Sequence, residues 1–268
     1  MGISRRHRTR AWAALVIALL STSGCARSAM YMIRPASRPI SALHVRVNGT
    51  SPRSCLLVLL PGLFDTPDAF FESGFVEDAR RASGRCDLLA VDSSLAYYTD
   101  GSIVDVLTGD VLWLARARGY EEIWVVGISM GALGAVLLAE RNPESVRGLV
   151  LIAPWVGEDD LVGPVARAGG LRAWRPPPID RGRRDLRQAN YIALSWLRAY
   201  PERASGPAIY LGVGEQDRRR ATTELIAEVI EPARVRRVPG GHDWRTWRDV
   251  WQSILRNPPW DPGPRDGR

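Results

Sequence analysis

Residues 122–140 read EIWVVGISMGALGAVLLAE. The first half is an apolar run and the second is rich in alanine, leucine and glycine; Ser129 stands between them, flanked by Gly127 and Gly131. A strand that passes directly into a helix must turn sharply. Side chains at the two glycine positions would collide with the neighbouring strand and helix, and the strained turn exposes the serine hydroxyl at the carboxyl edge of the sheet. G-x-S-x-G is a short pattern, and its weight here comes from its place between a strand and a helix.

Outward from this point the chain alternates strands and helices from about residue 40. ALHVRV (42–47) alternates with period two, and Cys55 to Leu60 is a continuous apolar run, as expected where both faces of a parallel strand are covered. A helix is expected to begin between Thr66 and Ala69, with Thr66 as its cap and Pro67 in its first turn. DLLAVDS (87–93) reads as the next strand. Ile103, Leu107, Val111 and Leu114 then recur at helical spacing over 103–117. VRGLVLIAP (146–154), PAIYLGVG (207–214) and ARVRRVPGG (233–241) complete the strands, with helices expected over 130–141, 222–230 and 244–255. This order predicts an α/β fold, a mostly parallel sheet covered by helices on both faces. Residues 155–206 contain RPPP and DRGRRDLRQ and no convincing buried strand, so they read as an insertion over the sheet, helical near 186–200. The expected organisation is an export signal at 1–25, a linker at 26–40, one α/β domain at 41–256 carrying the insertion 155–206, and a disordered tail at 257–268.

All 36 basic residues are arginine, and with 29 acids the net charge is +7. Four of the arginines fall in the first ten residues, ahead of the apolar run AWAALVIALL (11–20). That is the layout of an export signal, and the run is too short for a spanning helix. Without it the charge falls to roughly +3, scattered, and nucleic acid is not an expected partner. STSGCA (21–26) resembles the processing box of bacterial lipoproteins, with Thr22 where leucine is usual. By that resemblance Cys25 is lipidated and anchors the protein to a membrane of the cell envelope. The alternatives are an ordinary cleaved signal and a periplasmic or secreted protein, or an uncleaved anchor. Cys55 and Cys86 then remain as a pair, each at the start of an apolar strand; in an oxidising compartment they either form a disulfide or stay as buried free thiols.

A serine hydroxyl needs an adjacent base to act as a nucleophile. Of the three histidines, His7 lies in the signal and His44 in the first strand, which leaves His242 in the loop PGGHDW (239–244) after the last strand. A carboxylate should orient that imidazole. Asp217 in GVGEQD (212–217) follows the penultimate strand; Glu215, Asp243, Glu158 and Asp159 are its rivals. The order Ser, Asp, His, each just after a strand, favours Asp217. The three cysteines and three histidines show no metal-ligand spacing, and neither a metal nor an organic cofactor is expected.

GISMG (127–131), GEQD (214–217) and GGHDW (240–244), with LLPGLFDT (59–66), resemble the α/β-hydrolase superfamily over about residues 42–256, and more narrowly its secreted carboxylesterase branch. The resemblance implies the α/β-hydrolase fold with an insertion (cap) after the sixth strand. It implies an oxyanion hole from the backbone N–H groups of Leu63 and Met130, although Pro61 stands where many members carry histidine. It also places the strands beginning at Cys55 and near Cys86 side by side, which favours their disulfide. The expected function is a serine hydrolase of carboxylesterase or thioesterase type on a small-molecule ester or thioester, with Ser129 as nucleophile, His242 as base and Asp217 as orienting acid. Acyl transfer by the same residues, or an envelope-attached binding protein on a silent hydrolase fold, are the alternatives. Trp155, Trp174 and Trp196 are expected chiefly to pack the insertion on the sheet, and the arginines of RGRRDLRQ to form a solvated face.

Overall fold

The apolar runs become seven strands of one sheet: β1 Ala42–Val45, β2 Cys55–Leu60, β3 Cys86–Val91, β4 Glu122–Ile128, β5 Gly148–Ile152, β6 Ala208–Gly214 and β7 Val235–Val238. The structure is a computed structural model and describes residues 34–47, 55–82, 84–157, 159–203 and 205–261. The expected export signal, with His7 and Cys25, lies outside the described residues. The strand order is β1-β3-β2-β4-β5-β6-β7, with β1 antiparallel to β3 and every other pair parallel. The insertion follows β5, the fifth described strand, one earlier in the count than the resemblance implied.

Alternation along the strands divides the core in two. Leu56, Val58 and Leu60 face one apolar layer with Leu107, Leu133 and Val136, while Cys55, Leu57 and Leu59 face the other with Phe75, Trp247 and Trp251. Both faces are therefore covered, which is why β2 is apolar at every position. The helix Met130–Arg141 is buried from Met130 through Ala139. Its glycines and alanines let it sit close against the sheet and under the insertion.

Cys55 and Cys86 are register partners on neighbouring strands, with Cα atoms 4.6 Å apart, and they form a disulfide. Their sequence separation is 31 residues. A cross-link of that span removes enough unfolded-state freedom that replacing both cysteines with alanine is expected to cost about 3 kcal/mol and to lower Tm by about 10 °C. Thermal unfolding of the oxidised protein beside the double variant checks this; equal Tm values would contradict it.

Several local expectations change. Thr66 does not cap: the helix there is Ala69–Glu72, with Asp68 at its N-cap. The stretch 103–117 is helical but contains a π-helical segment, Leu107–Leu112. The insertion holds a second helix, Asp159–Arg167, besides Leu186–Arg198. Trp174 and Trp196 are buried in the core, as packing residues.

The linker and tail boundaries also move. Ile40 is buried and its N–H donates to Asp110 at 3.0 Å, while the Tyr97 hydroxyl accepts from the Ser37 N–H at 3.1 Å. The end of the expected linker is thus packed on the domain. Trp260, expected in a disordered tail, is 1% exposed, lies against Trp124 and Trp251, and its carbonyl accepts from Arg85 at 2.5 Å. An indole contributes too much buried apolar area to be left free once a pocket between those rings exists.

Candidate active site

Ser129 joins β4 to the helix Met130–Arg141 with φ 50° and ψ −114°, a conformation a side-chain-bearing residue adopts only under constraint. The constraint is visible. The Ser129 N–H donates to the Ile152 carbonyl at 2.9 Å, and its own carbonyl accepts from Ala132 at 3.1 Å and Trp155 at 3.0 Å. A Cβ on Gly127 would lie 2.5 Å from the Gly131 oxygen, and one on Gly131 would overlap the Leu60 carbonyl and lie 2.6 Å from the Pro61 oxygen. The two glycines are therefore needed for close approach of backbones, as the sequence pattern required.

Asp217 and His242 reach the same edge of the sheet. Asp217 lies in the turn after β6, closed by its N–H donating to the Gly214 carbonyl at 3.1 Å, and its side chain is fully buried. The Arg219 N–H donates to Asp217 Oδ1 at 2.6 Å, which fixes the carboxylate plane. His242 follows β7 and immediately precedes the helix Trp244–Leu255. That helix is held to Phe75–Ala82 by Arg248, which donates to both Asp78 oxygens at 2.6 and 2.9 Å. The guanidinium holds the Asp78 carboxyl below its usual range. His242 Nδ1 lies 2.9 and 3.0 Å from the two Asp217 oxygens, and Nε2 lies 3.1 Å from Ser129 Oγ. The Trp247 ring meets the imidazole edge to face at 5.0 Å and supports its orientation. With the proton on Nδ1, the ring donates to Asp217 and leaves Nε2 to accept from the serine hydroxyl.

These groups open into a cavity of about 420 Å³. Phe64, Leu95, Trp155 and Leu186 supply apolar wall, so the insertion contributes to the site through Trp155 and Leu186. Of the three tryptophans noted in the sequence, Trp155 alone lines this cavity.

A family model described as the alpha/beta hydrolase fold matches residues 56–174. The chain has the α/β-hydrolase fold. Among solved structures it is similar to Est1E from Butyrivibrio proteoclasticus, at 14% identity and TM-score 0.58, over 81% of this chain and 92% of that one. A ferulic acid esterase matches at 14% identity and TM-score 0.57, over 81% and 97%. FphF, a fluorophosphonate-binding serine hydrolase of Staphylococcus aureus, matches at 13% identity and TM-score 0.54, over 83% and 98%. At these identities the likeness is one of fold. A search of curated proteins by sequence finds no match.

In this α/β-hydrolase fold Leu63 and Met130 both line the cavity beside Ser129. The loop that carries Leu63 passes close: a Cβ on Gly62 would lie 3.7 Å from Ser129 Cβ and 2.9 Å from Asp65 Oδ2. Of the rival acids, Asp243 is engaged as the cap of the helix Trp244–Leu255, accepting from the Thr246 N–H at 3.0 Å, and Glu215 is exposed. Glu158 lies outside the described residues, and of Asp159 only the backbone, at a helix start, is described. His44 lies apart, on β1, 3.2 Å from the Tyr120 hydroxyl, and burial lowers its pKa.

Asp65 was not singled out in the sequence. It accepts from the Trp244 indole N–H at 3.0 Å, and burial raises its pKa. The pair spans 179 residues, so no local pattern could signal it; only the family-like loop LLPGLFDT pointed to that region.

Proposed function

We propose that the protein is a serine hydrolase of carboxylic esters or thioesters, with Ser129 as nucleophile, His242 as general base and acid, and Asp217 as the group that orients His242. The observation that carries this is the unbroken chain from Asp217 through His242 to Ser129, with contacts of 2.9 and 3.1 Å, opening into one cavity. His242 Nε2 takes the Ser129 proton as Oγ attacks the carbonyl carbon, and the buried Asp217 carboxylate stabilises the imidazolium that forms. The tetrahedral oxyanion is received by the Leu63 and Met130 N–H groups, each such donor contributing about 3 kcal/mol to the barrier reduction. Collapse breaks the ester C–O bond, or the thioester C–S bond, and His242 returns the proton to the departing alcohol or thiol. Water, deprotonated by His242, then attacks the acyl-enzyme, and His242 passes that proton to Ser129 Oγ as the acid departs. No step requires a metal or organic cofactor.

Export is part of the same reading. The Cys55–Cys86 disulfide supports an oxidising compartment, and Cys25 is assigned as the lipid-bearing residue that holds the enzyme to a membrane surface. Among the described residues no helix is long and apolar enough to cross a membrane.

Pre-steady-state hydrolysis of p-nitrophenyl acetate tests the mechanism. A burst of nitrophenol stoichiometric with enzyme, followed by slower turnover, is the expected signature of an acyl-enzyme. A folded protein that shows neither burst nor turnover across short and long acyl chains contradicts the reading.

A further inference from the structure

The carboxylates in and beside the cavity are already engaged, and among the described residues two of its cations have no acid partner. Asp65 accepts from Trp244, Asp243 caps a helix, and Asp217 holds His242. Arg218 and Arg219 line the same cavity, Arg218 exposed and Arg219 half-buried. Among the described residues neither guanidinium forms an ion pair with an acid. Arg220, the next residue, differs: it lies 3.5 Å from Glu224 and donates to the Glu215 carbonyl at 3.0 Å. Among the described residues, the loop that carries Asp217 therefore holds two guanidinium groups without an acid partner, in a cavity with a largely apolar wall.

We propose that the substrate is an ester bearing an anionic group, a carboxylate or a phosphate, which Arg218 and Arg219 receive while the apolar remainder lies against Phe64, Leu95, Trp155 and Leu186. This rests on the hydrolase reading above and narrows its substrate class. The Arg219 backbone is fixed by its hydrogen bond to Asp217 Oδ1, so its side chain starts within one residue pair of the catalytic acid. Guanidinium groups bind carboxylate and phosphate oxygens in bidentate fashion, and a cavity wall that excludes part of the solvent strengthens such contacts. The cations thus act as specificity residues and leave the proton transfers to His242.

Two matched ester pairs test the proposal. On the acyl side, p-nitrophenyl hydrogen glutarate is compared with p-nitrophenyl valerate; on the alcohol side, 4-acetoxybenzoate is compared with 4-acetoxybenzamide. In at least one pair kcat/KM is expected to favour the anion by about tenfold, and the preference should fall with added salt. It should be lost in Arg218→Gln/Arg219→Gln and largely kept in Arg218→Lys/Arg219→Lys. Equal rates within both pairs, or a preference that survives the glutamine variant, would overturn it. Phosphate is covered by the same comparison with 4-acetoxyphenyl phosphate.

Binding of the uncleaved amides separates this inference from the hydrolase reading. 4-Acetamidobenzoate should bind the protein more tightly than 4-acetamidobenzamide, read by NMR titration, and the difference should vanish in the glutamine variant. If that difference appears while no ester is cleaved, the cation site stands and the hydrolase reading fails. If esters are cleaved with no difference in either rate or binding, the reverse holds.

Discussion

Replacing Ser129 with alanine is expected to lower kcat by at least about 10³-fold, with the fold and thermal stability preserved. In the proposed mechanism the hydroxyl is one of three groups that act as a unit, so its removal takes away the acyl-enzyme route itself rather than one contribution among several. What survives is whatever the oxyanion donors and the cavity provide to direct attack by water. Position 129 is already strained, with φ 50°, and alanine meets the same backbone constraint as serine, so the fold has no new cost to absorb. Steady-state hydrolysis of a p-nitrophenyl ester, with circular dichroism of the same preparation, checks both halves. Near-normal turnover by a folded variant would contradict the assignment of Ser129.

Asp217→Asn should be of similar or greater severity, about 10⁴-fold in kcat, although it changes a single atom. The geometry gives the reason. Asp217 Oδ1 receives the Arg219 N–H at 2.6 Å, so an asparagine at this position keeps its oxygen there, 2.9 Å from His242 Nδ1, and places its NH₂ where Oδ2 now lies, 3.0 Å from the same nitrogen. An amide N–H beside Nδ1 favours that nitrogen as an acceptor, which moves the ring proton to Nε2. Nε2 then donates and can no longer take the Ser129 proton. The loss should appear in kcat with little change in substrate binding, because Asp217 does not line the cavity. A variant that keeps most of its activity would place the orienting role elsewhere, with Asp65 and Asp243 the described carboxylates that line the cavity.

The sheet and the turn at Ser129 were legible in the sequence because short-range rules govern them. Apolar runs between turn residues marked β2, β4 and β5, and the glycines at 127 and 131 encoded close contacts with Leu60, Pro61 and Ala132. The helices Met130–Arg141 and Trp244–Leu255 have the expected limits, the second set by the Asp243 cap. The insertion was less legible. Its helix Asp159–Arg167 contains Gly163 and Pro164, residues that read as breakers, yet Leu161 and Val165 are buried, and that packing outweighs local propensity. The π-helical segment at 107–112 was hidden because the apolar stripe of an ordinary helix occupies the same positions. Trp260 and the Asp65–Trp244 pair depend on contacts across more than a hundred residues, which periodicity does not report.

Activation of Ser129 by His242 is read directly by a fluorophosphonate probe. The protein comprising Arg27 to Arg268 should be labelled at Ser129, and both Ser129→Ala and His242→Ala should lose the label while remaining folded. Undiminished labelling of Ser129→Ala, or no labelling of the folded wild type, would contradict it.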